Sequence, residues 1–254
     1  MDTAEKAITR AVEYIFSNFN EEVTVEDMAR EAMFSKFHFS RLFQKITGIS
    51  PGRFLTAIRL QEAKRLLLST SISIIQVSQL VGYASVGTFS AKFSRSVGVS
   101  PSVYRSLGGI VGPQCQQGER GEIGKIGTVC GQVRAQHAED LGLVFVGVFP
   151  HRIPQGRPVR CAILDRPGRF RIDAVPQGDW YVLSHALSAD RNEIMHAPVN
   201  GDLGLAIGAC GPITVTAGSV PQVANLTLRP KRSIDPPVVL ALLDIRSSIL
   251  AEVG

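Results

Sequence analysis

Arg41 is the side chain in this sequence best equipped to read another molecule. Its guanidinium can donate two parallel hydrogen bonds to guanine O6 and N7, or it can grip a phosphate. Lys36, Phe37, Ser40, Gln44 and Lys45 join it at helical spacing on a face that avoids the neighbouring apolar positions. Phe37 carries no polar group; it either meets a thymine methyl or belongs to the core. Fifty residues on, the matching stretch offers Ser85, Val86, Gly87, Thr88, Ser90, Ala91, Lys92 and Arg95. Ala91 stands there in the place of Arg41, so base-reading chemistry thins to Ser90 and Arg95. Thr88, Lys92 and Arg95 suit phosphate contacts instead.

Catalytic chemistry has no comparable pattern, and neither an enzyme nor a cofactor is expected. His137, His151, His185 and His196 are not at i, i+4 spacing. No G-x-S-x-G, H-E-x-x-H or G-x-x-x-x-G-K-[ST] stretch occurs. Cys115, Cys130, Cys161 and Cys210 are 15, 31 and 49 residues apart, which is neither a zinc ribbon nor a dense disulfide framework. Reduced, mostly buried thiols and a cytoplasmic protein are the expectation. A metal site would have to be assembled in space from Cys130, Cys161, His185 or His196.

The elements that would carry the two polar faces repeat. Phe39, Ser40, Phe43, Gly48, Ser50 and Pro51 recur as Phe89, Ser90, Phe93, Gly98, Ser100 and Pro101, all at an offset of 50, with Phe54 and Tyr104 in the same register. Upstream, Ala29 pairs with Ser78 at an offset of 49, so the second turn is one residue longer. Two copies of one unit follow. Thr24 with Asp27, and Ser73 with Gln76, predict capped short helices over 25–32 and 74–81. A turn comes next, through Met33-Phe34 in one copy and Gly82-Tyr83-Ala84 in the other. Ser35 and Ser85 then cap second helices, whose apolar stripes are Phe39, Leu42, Phe43, Ile46 and Phe89, Phe93, Val97. Helix, tight turn and capped amphipathic helix make the helix-turn-helix layout.

Further helices complete the unit. Asp2 and Glu5 form a candidate capping box for a helix over 3–19, buried along Ala7, Ile8, Ala11, Val12, Ile15 and Phe19. Ser50-Pro51 and Ser100-Pro101 each read as an N-cap followed by proline at the first helical position. The helix from 51 to about 68 joins the copies. At 1.5 Å per residue it is roughly 27 Å long, near the roughly 34 Å between successive major-groove segments on one face of a duplex.

Residues 5–106 resemble the AraC/XylS family of bacterial transcription regulators. The likeness is carried by Gly82-Tyr83-Ala84-Ser85, Phe89-Ser90, Phe93, Gly98-Val99-Ser100-Pro101 and Tyr104-Arg105. It implies sequence-specific binding of double-stranded DNA through two helix-turn-helix units, with Arg41 at a position where such proteins read bases. It places the protein in the cytoplasm, associated with the nucleoid when bound. It admits RNA polymerase, a small-molecule effector and a second copy of the chain as partners. Activation and repression stay equally open.

Composition agrees with a split chain. Of 254 residues, 44% are hydrophobic and 19% charged, which suits a globular protein. No apolar run reaches the roughly 18 residues of a membrane span, and the first five residues have no signal-peptide pattern, so no membrane partner is expected. Residues 1–107 hold 5 of 24 glycines and 2 of 14 prolines. Residues 30–105 hold eleven Lys or Arg against Glu31 and Glu62, a net of 11 − 2 = +9, whereas the whole chain is +5. Such a local excess suits a polyanionic partner. Residues 108–124 contain six glycines and read as a mobile linker.

From Ile126 the period changes to two. Strands are predicted at 127–133, 143–149, 159–164, 170–174, 180–187, 213–216 and 223–228, giving an antiparallel β-sandwich over 125–254. Gly168-Arg169-Phe170-Arg171-Ile172 with Val175-Pro176-Gln177-Gly178-Asp179-Trp180-Tyr181 resembles the carboxypeptidase-regulatory-like, or transthyretin-like, sandwich. That likeness implies a fold and no activity. Six arginines between Arg152 and Arg171 form a solvated face or an anion site. An amphipathic helix over 238–250 closes the domain. Ligand sensing, dimerisation or interaction, and passive stabilisation are the roles open to this half.

Overall fold

The computed structural model describes residues 3–109, 126–136, 141–153, 155–188, 205–218 and 220–239, which fall into two compact units. The helical unit contains α1 (Thr3–Asn18), α2 (Val25–Glu31), α3 (Lys36–Thr47), α4 (Pro51–Ser69), α5 (Ile74–Leu80), α6 (Val86–Val97) and α7 (Pro101–Ser106). For α1, α2, α4 and α5 both ends agree with the sequence expectations to within a residue. Both capping boxes form. Asp27 N donates to Thr24 Oγ1 at 3.2 Å while Thr24 N donates to Asp27 Oδ2 at 3.0 Å. Gln76 N donates to Ser73 Oγ at 3.2 Å and Ser73 N to Gln76 Oε1 at 2.9 Å. Ser35 and Ser50 depart from expectation: each holds the N-cap position, but neither side chain accepts a capping bond. Pro51 has no N–H at the first position, so one of the amides needing a cap is missing there. Asp2 lies outside the described residues.

The sequence repeat is a repeat in space. Phe39, Phe43 and Phe54 form one run of fully buried rings, with centroids 5.3 and 5.4 Å apart. Phe89, Phe93 and Tyr104 form the other, at 5.6 Å each. Each run fastens a second helix, α3 or α6, to the helix that follows it. Gly48 and Gly98 end α3 and α6 in the left-handed region, at φ 84° and 101°. Four residues after the matched Ala29 and Ser78, the turns again correspond: Met33 has φ 60° and Gly82 has φ 78°. Phe34 N donates to Ala29 O, and Tyr83 N to Ser78 O, both at 2.9 Å. The extra residue of the second copy is therefore Ala84, between Tyr83 and the Ser85 cap.

Two arginines brace the repeat. Arg59 of α4 donates to the carbonyls of Phe19 and Glu21, both at 2.7 Å, just beyond α1. Arg105 of α7 donates to Leu67 O at 3.1 Å and Ile72 O at 2.7 Å, at the end of α4. Each satisfies carbonyls that a helix end leaves without a partner.

The described residues Arg232–Val239 group with the helices and not with the β domain expected over 125–254. Arg232 pairs with Glu5 of α1 at 3.2 Å. Val239 is 1% exposed inside the cluster formed by Leu60, Leu67, Val77, Phe89, Phe93 and Tyr104. Residues 238 and 239 are not helical, and the remainder of the expected 238–250 helix lies outside the described residues.

The second unit contains β1 (Ile126–Ala135), β2 (Leu141–Phe149), β3 (Arg160–Leu164), β4 (Arg169–Pro176), β5 (Gly178–Ser188), β6 (Leu205–Val215), β7 (Gln222–Val223) and β8 (Leu226–Pro230). Hydrogen-bonded neighbours run β3-β2-β5-β6-β8-β1-β4, with β7 beside β1. The inner faces of β2, β5 and β6 share one core with those of β1, β4 and β8, around Val129, Val146, Ile172, Val182, Val215 and Leu226. Pairing is antiparallel except where β1 runs parallel to β7 and β8. β4 and β5 are not paired; the turn between them carries the chain across the sheet path, held by Trp180 Nε1 donating to Pro176 O at 2.8 Å.

Two expected strands differ. The strand predicted at 213–216 starts at Leu205, because Gly211-Pro212 reads as a turn but forms a bulge opposite the Trp180/Val182 register shift. The strand predicted at 223–228 is broken into β7 and β8. Asn225 Oδ1 accepts from Gln132 N at 3.0 Å across the break, doing with a side chain what a ladder carbonyl would do. The cysteines also differ from expectation. Cys130 and Cys210 are free and half-buried, but Cys161 is disulfide-bonded, so the thiols are not all reduced. Among the described residues no helix is long and apolar enough to cross a membrane.

Candidate nucleic-acid interface

The ring runs point the apolar stripes of α3 and α6 inward and leave their opposite faces in solvent. On α3, Lys36, Phe37, Arg41, Gln44 and Lys45 are exposed and Ser40 is half-buried. Phe37 is 80% exposed, which excludes the core role that its composition allowed. An aromatic ring left in water beside a cationic row has no folding reason to be there. Ser40 Oγ donates to Lys36 O at 2.8 Å, so its proton is committed to its own helix. Lys36 is ion-paired with Glu26 of α2 and holds that carboxyl below its ordinary range. That pair crosses the turn and ties the two helices of the first unit together.

Ser85, the N-cap of α6, is exposed, as are Val86, Gly87, Thr88, Ala91, Lys92 and Arg95 on the helix, and Ser90 is half-buried. Ser85 Oγ accepts from Thr88 N at 3.4 Å and so acts as the cap. A Cβ on Gly87 would meet only Ser85 Oγ, at 3.6 Å. The fold does not need a glycine there. The second helix therefore presents bare backbone at the place where the first presents Phe37.

The cationic excess resolves into two groups. Arg59 and Arg105 are spent on helix ends. Arg30 pairs with Asp27 and Arg65 with Glu62, and Lys64 is buried over the Tyr104 ring. Of the Lys and Arg in 30–105, Arg41, Lys45, Arg53, Lys92 and Arg95 keep exposed charged groups with no protein partner among the described residues. Four of these are on α3 or α6. Arg53, in the first turn of α4, was not anticipated from sequence. The signal available was a cation directly after the Gly48 stop and the Pro51 start. Unpaired, exposed cations are the groups able to displace counterions from a phosphate backbone.

No alternative chemistry gathers elsewhere among the described residues. None of them form a group of three or more His, Cys, Asp or Glu able to hold a metal ion. His185 is buried and stacked on Phe145, with centroids 6.4 Å apart. Cys130 and Cys161 lie on different strands, and His196 is outside the described residues. Of the six arginines at 152–171, Arg171 pairs with Asp173 at 2.9 Å and Arg160 donates to Val159 O.

Residues 28–106 match the family described as "Helix-turn-helix domain". The lactose operon transcription activator of Staphylococcus xylosus is 37% identical over 105 residues, covering 41% of this chain and 38% of that protein. The raffinose operon transcriptional regulatory protein RafR of Pediococcus pentosaceus is 35% identical over 100 residues, covering 39% and 36%. Among solved structures, the C-terminal domain of AraT, a response regulator from Geobacillus stearothermophilus, is 36% identical over 40% of this chain and 84% of that one, with a TM-score of 0.39. The chain spans less than two fifths of the length of the two curated relatives. Residues 28–106 are a helix-turn-helix domain, of the kind that the resemblance to AraC/XylS regulators implied.

Proposed function

We propose that this chain is a transcription regulator that binds double-stranded DNA by sequence, setting α3 and α6 into successive major-groove segments. The observation that carries the reading is the pairing of two repeat-related helices, α3 and α6, with exposed polar faces and unpartnered cations. The first unit does most of the direct readout, through Arg41 and Gln44 to base edges and Phe37 to a thymine methyl. The second, with Gly87, Ser90 and Ala91, holds backbone through Thr88, Lys92 and Arg95 and follows DNA shape. Lys36, Ser40 and Lys45 flank the first reading row, and Ser85 positions the second.

The relatives named above are described as operon regulators, which supports gene control as the setting. For the β unit the reading is effector sensing or dimerisation. A ligand that raises its melting temperature supports the first, and concentration-dependent mass supports the second. RNA polymerase remains a proposed partner of the bound complex.

Selection of bound fragments from a random DNA pool by the full chain tests the reading. A motif of two half-sites about one turn, 10–10.5 base pairs, apart is expected, with stronger base preference in one half. Steeply salt-dependent binding with no preferred motif would reduce the protein to an adaptor without operator specificity.

A further inference from the structure

We propose that residues 232–239 form a strap that ties α1 to the core of the second reading unit and so helps to fix the spacing of the two reading helices. The strap begins two residues beyond β8, which ends at Pro230. Its first tie is Arg232 Nη1 donating to Glu5 Oε1 at 3.2 Å. A closed turn follows: Asp235 Oδ2 accepts from Arg232 N at 2.7 Å, and Asp235 N donates to Arg232 O at 3.0 Å. Ile234, Asp235, Val238 and Val239 are at most 6% exposed. The second tie is Val239, within the apolar cluster of α4 to α7. Pro236-Pro237 between the ties restricts the backbone to extended geometry and removes two N–H donors, so this stretch is stiff rather than slack.

The topology gives the strap its consequence. Glu5 belongs to the helix that packs with the first unit, and Val239 to the core of the second. Besides the strap, α4 and the chain just beyond α1, where Phe19 packs on the second core and the Phe19 and Asn20 carbonyls abut Gly82, set one reading helix against the other. Residues 112–231 are inserted in the chain between the helices and the strap. A seated and an unseated strap then differ in how rigidly the two helices are spaced, which is a two-state element of the kind an effector can bias. The exposed Arg232–Glu5 pair contributes register more than hold; burial of the aliphatic residues does the holding.

Part of this inference rests on the DNA reading and part does not, so the experiment has two arms on the full chain. In the first, amide exchange is compared for wild type, Val239→Asp and, as a control in the β unit, the exposed Val223→Asp. Val239→Ala replaces the aspartate variant if that chain does not fold. Core amides of α5 and α6, such as Val77 and Phe93, should exchange roughly tenfold faster or more in the Val239 variant, as expected for disturbing one buried aliphatic site, while Ile15 and Phe39 stay as in wild type. Exchange like that of the control, or a loss spread equally over both copies, overturns the strap.

In the second arm, Arg232→Ala and the Val239 variant are titrated on the selected site and on the same site with one base pair added between half-sites. Wild type should discriminate sharply, and both variants should tolerate the insertion better. Unchanged discrimination in both overturns the coupling. Failure of wild type to prefer any site removes the proposed function but leaves the exchange arm intact.

Discussion

Met33 and Gly82 hold the same place in the two turns, both with left-handed backbone, and only one of them is a glycine. Gly82 has no choice: a Cβ there would lie 2.9 Å from the carbonyl oxygens of both Phe19 and Asn20. Met33 is 79% exposed, so the first turn tolerates a side chain but holds it in a disfavoured conformation. Met33→Gly should stabilise the chain by about 0.5–1 kcal/mol, whereas Gly82→Ala should destabilise it by about 2–4 kcal/mol. Thermal melting of the two variants checks both signs, and a destabilised Met33→Gly would contradict the equivalence of the turns.

Arg41 and Ala91 are repeat partners with unequal chemistry. Arg41→Ala should lose about 1–3 kcal/mol of discrimination at one base pair of one half-site, with melting unchanged because the side chain is exposed and unpartnered. Ala91→Ser should change little. Phe37→Ala should likewise leave melting intact. Replacing the contacted thymine with deoxyuridine should weaken wild type and leave the Phe37→Ala variant indifferent. Competition binding on single-base variants of the selected site measures all three.

Gly87 has room for a methyl group within the protein, so a loss on adding one must come from outside it. Gly87→Ala should raise stability by about 0.5–1 kcal/mol and lower affinity for the selected site, because α6 backbone approaches the phosphates there. Higher melting with unchanged affinity would move the second interface away from the start of α6.

How far the sequence revealed this arrangement depended on the range of each interaction. Phe39 and Phe89 announced themselves because helical spacing and a fixed offset are local properties. The Thr24–Asp27 and Ser73–Gln76 caps were legible for the same reason. Arg59 and Arg105 were not, since their carbonyl partners lie more than 30 residues away and nothing near them signals a brace. Phe37 could not be placed by composition; only its exposure separates an interface ring from a core ring. The break at Asn225 was hidden because Ala224, Leu226 and Leu228 alternate as in one strand and are all buried. The return of Val239 to the helices was hidden too, because a short apolar run after a strand carries no address.

The two capping boxes respond differently to acid. Hydrogen bonds from the Thr24 hydroxyl and backbone hold the Asp27 carboxyl below its ordinary value of 3.8, whereas Gln76 in the second copy does not titrate. A depressed folded value means that the contribution of this cap is complete above the ordinary pKa and is lost as pH falls through the folded one. Amides at the start of α2 should therefore lose protection in acid before those at the start of α5. Asp27→Asn should abolish that difference in order; exchange followed by NMR from pH 6 downward measures it.

In the proposed complex α3 and α6 lie in adjacent major-groove segments on one face of a duplex. Hydroxyl-radical footprinting of the full chain on its selected site reads that placement. Two protected patches about one helical turn apart are expected, with Arg41→Ala weakening binding through one patch more than the other. A single patch, or uniform protection along the fragment, would contradict it.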